Sequence, residues 1–271
     1  MRLAGNAERL VCFQGYISNV NTLKRSDKPQ FLAGPHWVVH HITPVDKPPV
    51  SGPRPSPWFT VPELAQQGIP GTDDSYAFSK AFETGHKNWY DRGHLAQKYL
   101  VERFGKDAAL FTHNMANAVP QRHQLNAGAW LTLECMTGAW ANKFGEVWVI
   151  AGPVFKKGRP VIWLRSDKNK KATPVAIPVG VYKIVARKDG ERWDVLAFVY
   201  PQTNKTFAKG PFDPEVWLKS VADVEQLTGE HFLSGLPDAD ELRKKTATHI
   251  WAVSKSDYDL PACRQQATAI Q

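Results

Sequence analysis

Apolar positions along this chain come in short runs broken by proline and glycine, with one stretch of helical spacing near the middle. Trp37-Val38-Val39-His40-His41-Ile42-Thr43 is rich in β-branched and aromatic residues and predicts a strand. Residues 44–58 carry Pro44, Pro48, Pro49, Pro53, Pro55 and Pro57. Proline fixes φ and lacks a backbone donor, so this segment predicts an extended surface loop. Val61-Pro62-Glu63-Leu64 predicts the start of a short helix, and Gly68 to Asp74 a turn cluster. Residues 76–83 show no clear period. Residues 1–35 are polar overall and predict irregular chain.

Tyr90 to Leu95 and Thr112 to Ala116 predict two strands, the second followed by a loop holding Pro120. Leu125, Ala129, Leu133 and Met136 recur at helical intervals and predict a helix over Leu125 to Ala141. The resulting order is strand, strand, helix. Val147 to Gly152 and Val161 to Leu164 predict buried strands. Val179 to Arg187 and Trp193 to Tyr200 flank Lys188-Asp189-Gly190-Glu191-Arg192 and predict a β-hairpin. Asp213 as N-cap, Pro214 in the first turn and Gly229 at the far end predict a helix over Pro214 to Leu227, with a shorter one over Asp238 to Lys245. With no repeats and no linker, the pattern predicts one α+β domain across residues 1–271.

Composition narrows the class. At 42% apolar residues with 10 Trp and 13 Phe, the chain is globular. Its 34 Lys and Arg exceed 26 Asp and Glu, a balance that favours polyanionic partners. The 3 cysteines have no zinc-site or CxxC spacing, and an odd count leaves at least one thiol free in a monomer. Cys135 reads as a core residue of the central helix, while Cys12 and Cys263 can pair if the chain ends meet. No apolar run approaches the roughly 20 residues that span a bilayer, and the first ten residues lack a secretory apolar stretch. The expectation is a soluble protein with no membrane partner, either cytosolic or the mature form of an exported or organellar protein.

The chemistry concentrates in Asp91-Arg92-Gly93-His94, Asn117-Ala118-Val119-Pro120-Gln121 and Leu125-Asn126, with Glu134 beyond. A histidine has a neutral, proton-accepting ring near physiological pH and suits activation of water. Gly93 allows a close backbone approach. Arg92 can fork onto phosphate oxygens. An asparagine oxygen with water as co-ligand suits a hard, well-hydrated cation such as Mg²⁺, although Asn126 is equally suited to capping the helix it opens. Glu134, a little over two turns on, faces broadly the same side. Asn117 is placed to brace the loop or His94 through bonds to the backbone. Trp130 reads as core, and Asp73-Asp74 as a loop pair. His36 and His40 lack the intervening Glu and the helix of a zincin site.

Together these motifs resemble the DNA/RNA non-specific endonuclease family, most closely over residues 89–134. The resemblance implies a ββα-metal nuclease fold with a mixed or antiparallel central sheet flanked by helices, its core spanning about residues 89–141. It implies His94 as general base, Asn126 as the direct Mg²⁺ ligand (Mn²⁺ being possible) and Glu134 beside the metal. Arg92 and Asn117 fall on the remaining motif positions, and Arg54 aligns with a second phosphate-binding arginine. His113-Asn114 departs from the usual pattern and leaves open whether Asn114 or Asn117 takes part. The implied activity is cleavage of DNA and RNA to 5′-phosphate ends, with a homodimer or an inhibitor protein as possible partners. The competing readings are a non-catalytic nucleic-acid-binding protein on the same scaffold and a phosphodiesterase for small substrates.

Overall fold

The frame is an antiparallel seven-stranded sheet in the order β1-β2-β3-β6-β9-β10-β11. Its strands are β1 (Glu8–Phe13), β2 (Tyr16–Asn21), β3 (Pro35–Ile42), β6 (Val147–Val154), β9 (Gly180–Asp189), β10 (Arg192–Pro201) and β11 (Leu218–Lys219). Two ribbons stand beside it: β4 (Tyr90–His94) with β5 (Ala118–Arg122), and β7 (Ile162–Leu164) with β8 (Val175–Ile177). The computed structural model describes residues 8–21, 34–47, 52–66, 73–76, 89–155, 160–164, 173–203, 207, 210, 212–260 and 263–264. Of the expected turn over Gly68 to Asp74 and the ambiguous residues 76–83, positions 68–72 and 77–83 lie outside them, while residues 73–76 form a single helical turn.

The two-residue period of a strand sorts side chains onto opposite faces. On β9, Val181 and Val185 enter the main core with Leu125, Trp130, Leu133 and Trp140, whereas Tyr182 and Ile184 join a second cluster with Val221, Val224 and Phe232. The sheet is therefore covered by α4 (Leu131–Phe144) on one side and α5 (Val221–Thr228) on the other. The smaller helices are α1 (Pro62–Gln66), α2 (Lys98–Val101), α3 (Lys106–Phe111) and α6 (Ala239–Lys244). No helix among the described residues is long and apolar enough to cross a membrane.

The strand at Trp37, the pair flanking Gly190, and the strand–strand–helix order are all present. Four expectations are corrected. Residues 8–21 form the β1–β2 hairpin, turning at Gly15 with φ +90°. Its polar look reflects an outer position in the sheet, where only one side of the hairpin is covered. Residues 112–116 are not a strand. Asn114 caps a 3₁₀ turn (Met115–Asn117) by accepting the Ala116 N–H, and the strand that pairs with β4 is Ala118–Arg122. Pro120 lies within that strand, opposite Arg92, which a two-stranded ribbon tolerates because each strand keeps one unpaired edge.

The helix over Pro214 to Leu227 is split. Asp213 does cap a turn by accepting the Glu215 N–H at 2.9 Å, but the chain then extends as β11 against β10. A new capping box, Ser220 with Asp223, opens α5, which ends at Gly229 with φ +81°. The central helix starts with a π turn over Leu125–Trp130 before becoming regular α4.

The last correction concerns the cysteines. Cys135 bonds Cys263 and Cys12 is a free, exposed thiol. The chain near Cys263 is strapped along α4: Trp140 Nε1 donates to Trp251 O at 2.8 Å and Asn142 Nδ2 to Asp257 O at 2.8 Å. That route delivers Cys263 to α4 rather than to the outer strand that carries Cys12.

Closing a long loop between positions 128 apart restricts the unfolded chain, so Cys263→Ser should lower the unfolding free energy by about 2–5 kcal/mol. Urea unfolding checks this, with Cys12→Ser expected to match the wild type. Equal midpoints for all three proteins would show that the bridge does not form in solution.

Candidate active site

His94 ends β4, and its position is set from three directions. Asn117, fully buried, accepts the Ala96 N–H at 2.8 Å and donates to Ala96 O at 2.9 Å and Thr112 O at 3.0 Å. Trp130 donates its indole N–H to His94 O at 3.1 Å. The rings of Trp58 and His113 lie 4.5 and 5.2 Å from the imidazole. Gly93 cannot bear a side chain, since a Cβ there would sit 2.3 Å from the Gln121 side chain.

Nε2 of His94 is shielded and has no hydrogen-bond partner among the described residues. Burial, together with the charges of Arg54 and Lys98 and the neighbouring His113, holds the ring well below the usual histidine range. It is therefore neutral, with a lone pair to accept a proton, across the physiological range.

Arg92 lies two residues before His94 and reaches the same Trp58 ring, 5.9 Å from its centroid. Its Nε pairs with Asp73 at 2.5 Å, and Asp73 also accepts the Trp58 N–H at 3.1 Å. Asp73 is thus no idle loop carboxylate; it tethers both Trp58 and Arg92. Arg54 is exposed in the proline-rich loop, between the anchors Gly52 N–H to Glu102 at 2.6 Å and Trp58 N–H to Asp73. Its charge acts on His94, His113 and Glu134 alike.

Asn126 sits within the π turn and not at its N-cap, which is Gln124. Its amide nitrogen donates to Asp91 Oδ2 at 3.1 Å, which leaves its oxygen as the atom suited to a cation. Asp91 also accepts from Trp89 Nε1 and faces His123 Nδ1 at 2.8 Å. Glu134 is 5% exposed, on the face of α4 turned to the sheet. Burial pushes its pKa up to about 7, opposed by Lys183, and burial pulls buried Lys183 down to about 8, opposed by Glu134. The Lys183 ammonium also lies 4.4 Å from the Trp130 ring centroid.

Among the described residues no three His, Cys, Asp or Glu side chains gather to hold a metal. The Asn126 oxygen, with the Asp91 carboxylate beside its amide, instead suits a hard cation that keeps most of its own water. Asn114 is committed elsewhere. Its amide nitrogen donates to Tyr16 Oη at 2.6 Å and to Phe111 O, and its oxygen caps the 3₁₀ turn.

A family model described as DNA/RNA non-specific endonuclease matches residues 12–239. The chain belongs to this family. It is 29% identical to the mitochondrial nuclease EXOG of Danio rerio over 218 residues, covering 74% of this chain and 56% of that protein. The match to a nuclease of Serratia marcescens is 25% identical and covers 84% of this chain and 80% of that protein. The chain thus spans about half the length of the EXOG relatives it matches. A solved EndoG, in a structure titled for its complex with EndoGI, aligns at a TM-score of 0.56 with 18% identity, covering 84% of this chain and 87% of that one. The β4–β5 ribbon and the helix behind it are the ββα-metal fold of the family.

Sequence reasoning grouped Arg92, His94, Asn117, Asn126 and Glu134. In the structure Arg92 shares the Trp58 ring with His94, and Asn117 braces the backbone just after it. Asn126 bonds Asp91 on the same strand as His94, and the Arg54 charge reaches both His94 and Glu134. Sequence reasoning missed what supports them. Asp91 was within the quoted tetrapeptide but had no role, and the Asp-Arg-Gly-His pattern alone was the signal available. Asp73, Trp58 and Lys183 come from distant segments with no local mark.

Two measurements test this frame. Asn117→Ala removes three bonds to buried backbone groups and should destabilise the protein by about 2–3 kcal/mol in urea unfolding; an unchanged midpoint would refute the clamp. His40, on the α4 face of β3, has no partner for either ring nitrogen among the described residues, and burial, reinforced by Lys183, lowers its pKa to about 3. The unfolded chain binds a proton below pH 6.5 that the folded protein refuses, so stability present above 6.5 is lost as pH falls toward 3. The loss should reach about 5 kcal/mol. Unfolding free energies across that window, for wild type and His40→Leu, should show a flatter acid limb in the variant.

Proposed function

We propose that this protein is a metal-dependent endonuclease that hydrolyses phosphodiester bonds of DNA and RNA with little sequence preference. The observation that carries this reading is the His94 imidazole. It is neutral, fixed at a strand end and unpartnered at Nε2, and it shares Trp58 with an arginine. Binding alone requires no such base. Family membership and relatives named as nucleases support the same conclusion.

In this reading His94 Nε2 takes a proton from water, which attacks phosphorus in line and expels the 3′ oxygen, leaving a 5′-phosphate. Arg92, with Arg54 at the mouth, neutralises the phosphate oxygens as negative charge builds up. Asn117 keeps His94 in place and does not touch substrate. Asn126 would hold the divalent ion, with Asp91 orienting its amide and Glu134 nearby. Mg²⁺, or Mn²⁺ in its place, would supply charge neutralisation at the phosphate and the leaving oxygen. Lys183 keeps part of the Glu134 population ionised against the cost of burial.

The partner this chemistry requires is nucleic acid. An inhibitor protein, as EndoGI is to EndoG, would be a second. The Cys135–Cys263 bridge favours an oxidising compartment over the cytosol.

Nicking of supercoiled plasmid and cleavage of structured RNA, with Mg²⁺ and with EDTA, test the reading. Wild type should cut both only with the metal. His94→Ala should lose about 10²–10⁴-fold in turnover while still binding DNA. Near-normal turnover in that variant would remove His94 as the base. DNA binding without cleavage under any divalent ion would favour the non-catalytic reading.

A further inference from the structure

The ribbon that carries His94 has a second end. There Tyr90 faces Arg122, and the guanidinium lies 4.2 Å from the ring centroid. Beyond this pair opens a cavity of about 330 Å³, walled by Ile162, Ile177 and Val179 with Gln202 at its edge. That volume is at the small end of ligand sites. Ile162 is 68% exposed and Val179 46%, so branched apolar side chains stand in water beside a stacked cation and aromatic ring. The Gln202 amide is already engaged, accepting the Arg122 N–H at 2.9 Å and donating to Pro120 O. It braces the ribbon and is not placed to tell one base from another.

We propose that this pocket receives one unpaired nucleobase of the substrate strand, flanking the phosphate cleaved at His94. The inference rests on the nuclease reading and adds a subsite to it. Three features favour a nucleobase as occupant. A flat aromatic ring fits a slot with apolar walls and gains from stacking on the Tyr90–Arg122 pair. Arg122 adds positive charge for the phosphate attached to that base.

Position is the third feature. Tyr90, Arg92 and His94 alternate along one strand and so share a face. At about 3.3 Å per residue, Tyr90 stands about 13 Å from His94, within reach of a few nucleotides along the same strand. A paired base stays in its duplex stack, so the subsite serves single strands, loops and ends. Stacking accepts every base, in keeping with cleavage that ignores sequence.

Steady-state kinetics on a single-stranded oligonucleotide and on its duplex test the proposal. Arg122→Ala removes the stacked cation. Ile162→Glu adds a carboxylate at an exposed rim position, where folding should be untouched. Both should raise KM for the single strand by about tenfold. Their kcat values should stay within about twofold of wild type, and so should KM for the duplex with Ile162→Glu, because a paired base never enters the pocket. Arg122→Ala, which also loses a charge facing phosphate, should raise KM for the duplex less than KM for the single strand. Equal KM changes on the two substrates, or none on either, would overturn the subsite. Failure of the wild type to cleave any nucleic acid would overturn the nuclease reading instead.

Discussion

The site depends on one buried amide. Asn117 ties the chain leaving β4 to the turn that ends α3, through one bond to an N–H and two to carbonyls. Its own backbone carbonyl accepts the Leu95 N–H at 3.1 Å, so the residues after His94 are held by side chain and main chain together. A polar side chain is worth burying only when its groups find partners, and here both amide hydrogens and the oxygen are engaged. The result is a histidine whose backbone cannot drift. The base proposed at His94 would need that fixed position, because proton transfer falls off steeply with misplacement.

Around that clamp the electrostatics divide into two zones. Near His94 the neighbours are Arg54, Lys98 and a second histidine, all unfavourable to a charged imidazole. Behind Trp130, in the core between α4 and the sheet, Glu134 and Lys183 oppose each other's desolvation. Trp130 joins the zones: its ring lies against the lysine ammonium and its N–H holds the His94 carbonyl. Strand alternation explains why a lysine is buried there at all. Lys183 stands between Val181 and Val185 on the core-facing side of β9, so a hydrophobic face carries one charge beneath the site.

Much of the site was legible because its residues are close in sequence. Helical spacing puts Asn126 and Glu134 broadly on one side of a single helix, and the motif pattern adds His94, so the three could be grouped before any fold was known. Asn117 was readable as a backbone brace from residue type alone. The second strand was misplaced because Pro120 argued against a ladder, whereas the real pairing uses an edge on which proline does no harm. The N-cap reading of Asn126 failed because the helix begins earlier, in a wider turn.

The sequence by itself determined the α+β class, the strand–strand–helix order, the setting of His94 beside a glycine and an arginine, and the basic charge that suits a polyanion. These follow from short-range spacing and residue chemistry, which do not depend on distant parts of the chain. Only the tertiary structure decided the rest. Asp73 meets Arg92, Cys263 chooses Cys135 over Cys12, Lys183 faces Glu134, and Gln202 braces Arg122. Each of these contacts joins segments far apart in sequence. Their partners are set by sheet register and by the packing of helices on its two faces, and no local pattern encodes either.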